Sequence, residues 1–471
     1  MMIKFGTGGW REIIGDGFTK ANVQLLAKAM AKKMLSENSF MNGFILGYDR
    51  RFLSKEAAMW AAEVIASSGI VCRLINREAP TPLVMFTVKY YGCDYGMVVT
   101  ASHNPALYNG IKVFTKGGRD ADESVTKSIE EYINNTDPKE IEAIPYEKGI
   151  RSGYIEEINP QNEYLDSIIR SINMDAIRSK KLRVVLDPMY GVSKTSLQTI
   201  LLTARCDVDV IHERRDALFG GRLPAPNEET LGALQSYVAE NKYDIGIATD
   251  GDADRIGVID NKAKFLHPNR ILVLLYYYLL KYKDWRGPAV RNIATTHLLD
   301  KIAENYGEKC YEVPVGFKHI SSKMTETNAI IGGESSGGLT VRGHIQGKDG
   351  IYAAALLVEM IATTGRGLSE IYDEITEKYG EFYTAEKDFK FSHETKDRMM
   401  NLLLVDKKLP EFKDEVDRVS YLDGCKVYFK NGGWVIARFS GTEPLIRIFS
   451  EMSDHKHAEE VCDEMIGFLG L

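Results

Sequence analysis

A serine stands at the end of an apolar run in the first quarter of the chain. Residues 97–99 (MVV) have the composition of a buried strand, and residues 100–105 (TASHNP) follow them. Pro105 prevents ordinary continuation of the element and disfavours the helical region for Asn104. Ser102 is therefore predicted on a loop at a strand end, where α/β proteins usually hold their reactive groups. Such a serine could carry a transferred group, although turns are also rich in Ser, Asn and Pro for conformational reasons.

Three aspartates follow another predicted strand at alternate positions. They are Asp250, Asp252 and Asp254 in the run DGDADR, which Arg255 closes. Carboxylates spaced in this way on a glycine-containing loop can converge on one hard cation, and oxygen ligands suit Mg²⁺. An EF-hand is excluded, because that loop needs Gly at the sixth position, which Arg255 occupies. A solvated acidic turn is the alternative, but neighbouring like charges repel unless a cation or strong donors neutralise them.

A glycine-rich loop, GGESSGG, occupies residues 332–338. Its GESSG core matches G-x-S-x-G, the nucleophile elbow of α/β-hydrolases, with Ser335 as the nucleophile. That elbow should open a helix, whereas residues 339–341 (LTV) are predicted to form a strand. A carboxylate and hydroxyls on a flexible loop suit the hydroxyl groups of a sugar better, and a plain turn is the alternative.

The fourth loop, RFSGTEP at residues 438–444, combines two hydroxyls, exposed backbone N–H groups and Arg438, with Arg447 in the next predicted strand. Fork-shaped guanidinium donors and a backbone nest predict a phosphate cradle. A hairpin loop with solvated arginines is the alternative. Together the four loops offer a nucleophile, a metal site, a sugar site and a phosphate site, and ligand sites favour domain interfaces. We therefore expect one cleft to which all four loops contribute.

The predicted elements that position these loops form four domains. The order strand, helix, strand occurs at 44–75, again at 182–211 and again at 289–313, which indicates three α/β domains of similar build. The last part of the chain differs, because an Asn-Gly turn at 431–432 between two apolar runs predicts a hairpin and a small α+β domain. The predicted domains are residues 1–150, 151–261, 262–379 and 380–471.

Composition narrows the class of protein. The chain has 471 residues with 44% hydrophobic and 27% charged residues, as in soluble globular proteins. The net charge of −7 does not indicate nucleic-acid binding, and the longest apolar run, residues 271–280, is too short to span a bilayer. Six widely spaced cysteines without a CxxC pair fit reduced thiols in a cytoplasmic protein. The oligomeric state, monomer or dimer, is left open.

The motifs, taken in order, resemble those of the α-D-phosphohexomutase superfamily, which includes phosphoglucomutases and phosphomannomutases. The resemblance covers the whole chain. It rests on FGTGGWR at 5–11, TASHNP at 100–105, DGDADR at 250–255, GESSG at 333–337 and RFSGTEP at 438–444. It implies three α/β domains with mixed sheets and a fourth domain similar to the TATA-binding-protein fold, arranged as a heart around a central cleft.

The resemblance also implies roles for individual residues. Ser102 would be the phosphoserine of the resting enzyme and would share Mg²⁺ with the three aspartates. Residues around the reacting phosphate would be Arg11, His103 and Lys112. Residues of the substrate site would be Arg255, Gly316, Lys318, Glu334, Ser336, His344, Lys348, Arg438, Ser440, Gly441, Thr442 and Arg447. The general acid or base stays open among Lys112, His103 and His344, because Gly338 stands where many family members have a histidine.

The implied reaction moves phosphate between O1 and O6 of a hexose phosphate, with glucose 1,6-bisphosphate as activator and intermediate. Glucose 1-phosphate is the expected substrate. A phosphomannomutase or a dual-specificity mutase is the first alternative, followed by a phosphoglucosamine mutase. A glucose-1,6-bisphosphate synthase, a sugar-phosphate phosphatase, a non-catalytic sugar-phosphate sensor and a hydrolase using Ser335 are the others.

Overall fold

The protein folds around four β-sheets in the part of the chain that the structure describes. The structure is a computed structural model, and it describes residues 3–6, 8–439 and 445–471, with the side chain of His393 excepted. The first three sheets are mixed and flanked by helices, whereas the fourth is antiparallel. The predicted class, three α/β domains followed by an α+β domain, is confirmed.

The first sheet places the predicted serine loop at its carboxyl edge. Phe44–Tyr48 pairs in parallel with Tyr95–Val99, and Tyr108–Thr115 returns antiparallel beside the latter. The turn between these strands carries the serine. Ile155–Ile158 pairs with Cys72–Ile75, so this sheet continues past the predicted division at residue 150. The sheet also contains Trp10–Ile13 and Arg119–Asp120, and its helices are Lys20–Ser36, Ser54–Ser67, Thr81–Tyr90, Glu123–Asn134 and Tyr146–Ser152, with a 3₁₀ turn at Pro138–Glu140.

The second sheet presents the aspartates in the same way. Ile245–Thr249 pairs in parallel with Arg183–Asp187 and antiparallel with Ile256–Asp260, so residues 250–255 form a tight connection at the sheet edge. Asp207–Val210 and Phe265–Leu266 complete this sheet. The helices of this part are Gln161–Ser171, Met174–Lys180, Lys194–Thr203 and Gly232–Asn241, with a 3₁₀ turn at Phe219–Gly221.

The third sheet packs against the longest stretch of buried helix. Gly350–Thr364 begins at Asp349, whose carboxylate accepts hydrogen bonds from two first-turn amides, and it is buried at almost every position. Its apolar residues belong to one core cluster that also contains buried residues of the first and second domains. The sheet consists of Cys310–Val313, Ala289–Asn292, Ile331–Gly333 and Leu339–Val341, and the other helices are Pro268–Lys281, Leu298–Asn305, Phe317–Thr327 and Leu368–Tyr379.

Within the described residues, no single helix has the length and apolar composition needed to cross a membrane. Only Gly350–Thr364 and Leu368–Tyr379 taken together meet that test, and a bend of 80° separates them. The six cysteines, all in the described part of the chain, are unpaired.

The fourth sheet is attached to the third domain through a buried lysine. Lys426 donates to the carbonyl of Ile293 at 2.6 Å and to the Glu312 carboxylate at 2.8 Å. The hairpin predicted at the Asn-Gly turn 431–432 is confirmed, because Cys425–Phe429 and Trp434–Phe439 pair antiparallel on either side of it. The sheet runs Tyr383–Lys390, Leu445–Met452, Trp434–Phe439, Cys425–Phe429 and Val416–Ser420, and its helices are His393–Met400, which continues as a π-turn at Asn401–Val405, and His455–Leu469.

Candidate active site

Ser102 lies buried where the first and second domains meet. Its hydroxyl donates to Asp250 Oδ2 at 2.7 Å and lies 3.3 Å from His103 Nδ1. Its backbone has φ of 52°, the left-handed region that costs a non-glycine residue energy unless its surroundings fix it. The loop therefore holds this hydroxyl in one position and points it at the aspartates.

Arg51 fixes the serine loop through hydrogen bonds to its backbone carbonyls. This fully buried guanidinium donates to the carbonyls of Ser102 and Asn104, both at 2.6 Å, and to those of Pro105 and Tyr108 at 2.9 and 3.0 Å. One side chain thus donates to four carbonyls of the same turn, which restrains the whole turn.

Asp49 supports the same turn on the strand side. It accepts from the Thr100 hydroxyl at 2.6 Å, and the Thr100 oxygen in turn accepts from the Ser102 amide at 2.9 Å. Asp49 also lies 3.5 Å from Arg51 Nε, which balances the charge of that guanidinium. The charge of Arg51 is thus balanced by Asp49, and the polar groups that support the serine loop are hydrogen-bonded.

The three predicted metal ligands converge. Asp250, Asp252 and Asp254 are buried, and one oxygen from each lies within 4.8 Å of the others. Oδ1 of Asp252 and Oδ1 of Asp254 are buried without a hydrogen-bond partner in the described residues. Gly251 allows this approach, because a Cβ there would stand 2.8 Å from the Ser102 carbonyl oxygen. Carboxylate oxygens without hydrogen-bond partners beside a serine hydroxyl fit a hard divalent cation.

Two lysines neutralise the opposite side of the aspartates. Lys112 Nζ lies 2.6 Å from Oδ2 of both Asp252 and Asp254, and Lys348 Nζ lies 2.9 Å from Asp254 Oδ2. Burial opposes ionisation of Asp254, yet the two ammonium groups hold its pKa well below the ordinary value. Burial and the neighbouring carboxylates raise the pKa of Asp250 well above its ordinary value. A bound cation would reverse that effect by favouring the carboxylate.

Two arginines border the serine with free donors. Arg11 Nε and Arg255 Nε are both buried without a hydrogen-bond partner among the described residues, while Arg11 Nη1 holds Asn104 Oδ1 at 3.0 Å. The charge of Arg255, burial and the charge of Arg11 lower the pKa of His103 well below its ordinary value. The site thus offers two unused cationic donors and a neutral imidazole around Ser102, as a phosphoryl group there would require.

The predicted sugar loop lies beside the aspartate loop. The Ile256 amide donates to the Gly337 carbonyl at 3.2 Å, which joins the two loops directly. Glu334 is buried, and its Oε1 accepts from Asn292 Nδ2 at 3.3 Å and from the Gly316 amide at 3.1 Å. Ser336 is exposed. The predicted strand that excluded a nucleophile elbow is present as Leu339–Val341, so Ser335 does not open a helix.

His344 is engaged elsewhere in the third domain. Its Nε2 lies 2.6 Å from Asp349 Oδ2, which also accepts from the Tyr164 hydroxyl at 2.8 Å. This contact couples the imidazole to the cap of a core helix. Lys318 lies 3.8 Å from Glu123 of the first domain, across the opening between the first and third domains.

The predicted phosphate loop is described only at its borders. Arg438 Nε donates to Asp423 Oδ2 at 2.9 Å, and the same oxygen accepts from the Val315 amide, next to Gly316. Arg447 is half exposed and lies 3.3 Å from Asp388. Ser440, Gly441 and Thr442 lie outside the described residues, and the role of this loop stays a prediction.

Comparison with known proteins assigns the four parts of the chain to four domains of one family. Models of the phosphoglucomutase/phosphomannomutase family match in order: its α/β/α domain I at residues 2–140, domain II at 162–263, domain III at 267–379 and the C-terminal domain at 399–467. A curated phosphoglucomutase/phosphomannomutase of Thermococcus kodakarensis is 31% identical, with 97% of this chain and 96% of that protein covered. The chain belongs to the phosphoglucomutase/phosphomannomutase family.

Two further relatives show the breadth of this family. A phosphoglucosamine/phosphogalactosamine mutase of Sulfurisphaera tokodaii is 28% identical, with 98% of each chain covered. A solved structure of a candidate phosphomannomutase from Thermus thermophilus covers both chains completely at 29% identity, with a TM-score of 0.86. The resemblance to the α-D-phosphohexomutase superfamily is confirmed, and the protein is a phosphohexomutase.

Sequence reasoning missed three residues of this phosphohexomutase site. Arg51 and Asp49 follow an ordinary predicted strand, and Thr81, which donates to Asp252 Oδ2 at 2.5 Å, opens a helix that was not predicted. Each acts on a loop far away in the chain. The one available signal was the pair Asp49 and Arg51 directly after the strand Phe44–Tyr48. Charged residues next to a buried strand indicate an ion pair or a function, because buried charges are paired or functional.

Proposed function

We propose that this phosphohexomutase interconverts glucose 1-phosphate and glucose 6-phosphate. In this proposal Ser102 carries the phosphoryl group and glucose 1,6-bisphosphate is the intermediate. The observation that carries it is the buried Ser102 hydroxyl, 2.7 Å from Asp250 Oδ2 on a loop whose Asn104 accepts a hydrogen bond from Arg11. The Nε donors of Arg11 and Arg255 have no hydrogen-bond partner among the described residues. A hydroxyl in that setting suits a resident phosphoryl group better than a free nucleophile, because no carboxylate–histidine pair among the described residues is arranged to activate it.

Different residues serve different parts of the proposed phosphoryl transfer. Oxygen O1 or O6 of the hexose attacks the phosphorus, the bond to Ser102 Oγ breaks, and the hydroxyl proton leaves for a base. After the bisphosphate turns over, the other phosphate returns to Ser102. Arg11, Arg255 and Lys348 offset the charge that spreads over the equatorial oxygens, which is the main requirement of this reaction.

Asp250, Asp252 and Asp254 would hold Mg²⁺, with a phosphate oxygen on Ser102 as a further ligand. The cation supplies charge neutralisation at the transferred group. Among the three candidates for the acid or base, His103 is within hydrogen-bond range of Ser102 Oγ, whereas carboxylates engage both Lys112 and His344. We therefore assign the proton transfer to His103.

Glu334 is the proposed sugar ligand. Its Oε1 is used by Asn292 and Gly316, which fixes the carboxylate, and Oε2 has no partner among the described residues. That oxygen can accept hydrogen bonds from sugar hydroxyls. Gly316, Lys318, Ser336, Arg438, Arg447 and the loop at 440–442 complete the proposed substrate site.

The test of substrate uses purified protein with Mg²⁺ and a trace of glucose 1,6-bisphosphate. Glucose 1-phosphate, mannose 1-phosphate and glucosamine 1-phosphate are supplied in turn, and the 6-phosphates are measured. We expect the highest kcat/KM with glucose 1-phosphate. A tenfold or greater preference for glucosamine 1-phosphate, the chemistry of the Sulfurisphaera relative, would refute glucose as the substrate while leaving the mutase intact.

The test of the carrier compares two serines. Ser102→Ala should abolish both turnover and the covalent phosphate seen by intact-protein mass spectrometry, whereas Ser335→Ala should retain both. Covalent phosphate persisting in Ser102→Ala would move the carrier to another residue.

A further inference from the structure

A cavity of about 470 Å³ opens between the first and second domains, and none of the residues that line it belongs to the proposed active site. Its volume is within the usual range for small-molecule sites. The basic side chains on its wall are Arg50, Lys55, Arg77 and Arg215, and the only carboxylate among the lining residues is Glu78. The cavity is therefore strongly cationic in a protein whose net charge is −7.

The carboxylate leaves much of this positive charge unbalanced. Glu78 Oε2 accepts from Arg50 Nε at 3.1 Å, and Glu78 Oε1 accepts from Arg215 Nε at 2.5 Å. Lys55 and Arg77 form no hydrogen bond or ion pair with any described residue. Two cations therefore face the cavity without an anion, and like charges gathered in this way favour an anionic ligand.

Three helices begin at the wall of the cavity. Lys55 is the second residue of Ser54–Ser67, Gln161 is the first of Gln161–Ser171, and Thr195 is the second of Lys194–Thr203. None of the three has a side-chain cap in the described structure. The first-turn amides of a helix lack intrahelical acceptors and attract anions, so three uncapped N-termini add to the field of the basic side chains.

Tyr48 supplies independent evidence for a ligand. Its side chain is 4% exposed and lines the cavity, yet its hydroxyl has no hydrogen-bond partner among the described residues. The hydroxyl oxygen is open to the cavity rather than sealed in the core, so an occupant of the cavity can hydrogen-bond to it.

We propose that this cavity is a second anion site, which binds a small phosphorylated metabolite through Lys55, Arg77, Arg215, Tyr48 and the helix amides. A phosphate, whose oxygens point in several directions, suits cations and helix N-termini that come from several elements better than a planar carboxylate does. The ligand bridges the domains, since Tyr48, Lys55 and Arg77 belong to the first sheet's domain and Arg215 to the second.

The site is also connected to the serine loop. Arg50 donates to the carbonyls of Tyr190 and Glu213 in the second domain, and the next residue, Arg51, holds the carbonyls around Ser102. A ligand that restrains Arg50 thus acts on the direct neighbour of Arg51, which holds the serine loop.

Inorganic pyrophosphate is the probe for the test. It is titrated calorimetrically into the full chain without divalent metal at about 0.1 M salt, where exposed charges are largely screened. Lys55→Ala/Arg77→Ala should weaken one binding component at least about tenfold, as expected when two charge-assisted contacts are removed. Tyr48→Phe, which changes no charge, should weaken the same component. Arg255→Ala, in the proposed active site, should leave it intact.

The matched control is Arg151→Ala/Lys309→Ala, which removes two exposed cations that also have no described ion-pair partner. It should reproduce the wild-type isotherm, and thermal melts should show that all variants fold. Equal isotherms for the wild type and Lys55→Ala/Arg77→Ala would refute the site. Citrate binding at these residues without pyrophosphate binding would overturn the phosphate assignment.

Discussion

Replacing Arg51 by lysine tests whether the serine loop is held by one buried guanidinium. Arg51 donates four hydrogen bonds to carbonyls of residues 102–108 from its two terminal nitrogens. A lysine keeps the charge opposite Asp49 but offers its three protons from a single point, so it cannot reproduce the fork. We expect at least two of the four bonds to be lost.

The expected cost follows from that count. A hydrogen bond to a charged group contributes about 1.5–3 kcal/mol, so losing two destabilises the loop by about 3–6 kcal/mol. The free energy of local opening should fall by that amount, which corresponds to a roughly 10²- to 10⁴-fold faster amide exchange. Turnover of the hexose phosphate should fall with it, because Ser102 must stay in its left-handed conformation.

Hydrogen exchange followed by mass spectrometry measures the loop directly in peptides covering residues 100–110. Arg73→Lys is the matched control, because Arg73 donates to Glu156 at 2.8 Å and to the Asn42 carbonyl at 2.7 Å, neither of which touches the serine loop. Its exchange and turnover should match the wild type. Unchanged exchange of residues 100–110 in Arg51→Lys would refute the reasoning that this guanidinium positions Ser102.

Two further predictions concern the metal site and the response to pH. Thr81→Val removes a hydrogen bond to the proposed ligand Asp252, so Mg²⁺ affinity measured by calorimetry should fall about tenfold or more, whereas Thr87→Val on the same helix should not change it; equal affinity in both would contradict the assignment. Burial lowers the pKa of His267 to about 4. Between pH 6.5 and 4 this imidazole therefore stays neutral in the folded protein, whereas in the unfolded chain it takes up a proton near pH 6.5. The free energy of unfolding should therefore fall by at most about 3 kcal/mol as the pH drops from 6.5 to 4, and His267→Asn should lessen this fall while the exposed control His455→Asn does not.

The elements that carry the site loops could be predicted because each has a strong local signal. Phe44–Tyr48 is an apolar run, and Cys310–Val313 and Trp434–Phe439 each contain only one charged residue. All three are bounded by turn residues and are observed as predicted. Tyr383–Lys390 was not predicted. It is an edge strand with four charged residues and no apolar run, and its pairing with Leu445–Met452 is specified only by the completed sheet.

The convergence of the aspartates was predicted from spacing alone, since alternate positions on a short loop are close whatever surrounds them. The partners that neutralise them were harder to foresee. Lys112 contacts residues 140 and 142 positions away, and Arg51 acts on a loop 51 or more positions away. Such contacts depend on how whole domains pack, which no local pattern encodes. The bond between His344 and Asp349 was not anticipated either, although it is local: the two residues are five positions apart in one domain.

The contacts between Lys112 and the aspartates also have a consequence for folding. Before the first domain docks, the second domain holds three carboxylates on one turn with no ammonium group from the first domain to offset them. Burying them in that state would be costly, so the turn must remain hydrated until docking supplies Lys112. The candidate active site is therefore complete only when the two domains are docked, and any cation that binds only the docked state adds its binding free energy to the cohesion of the two domains.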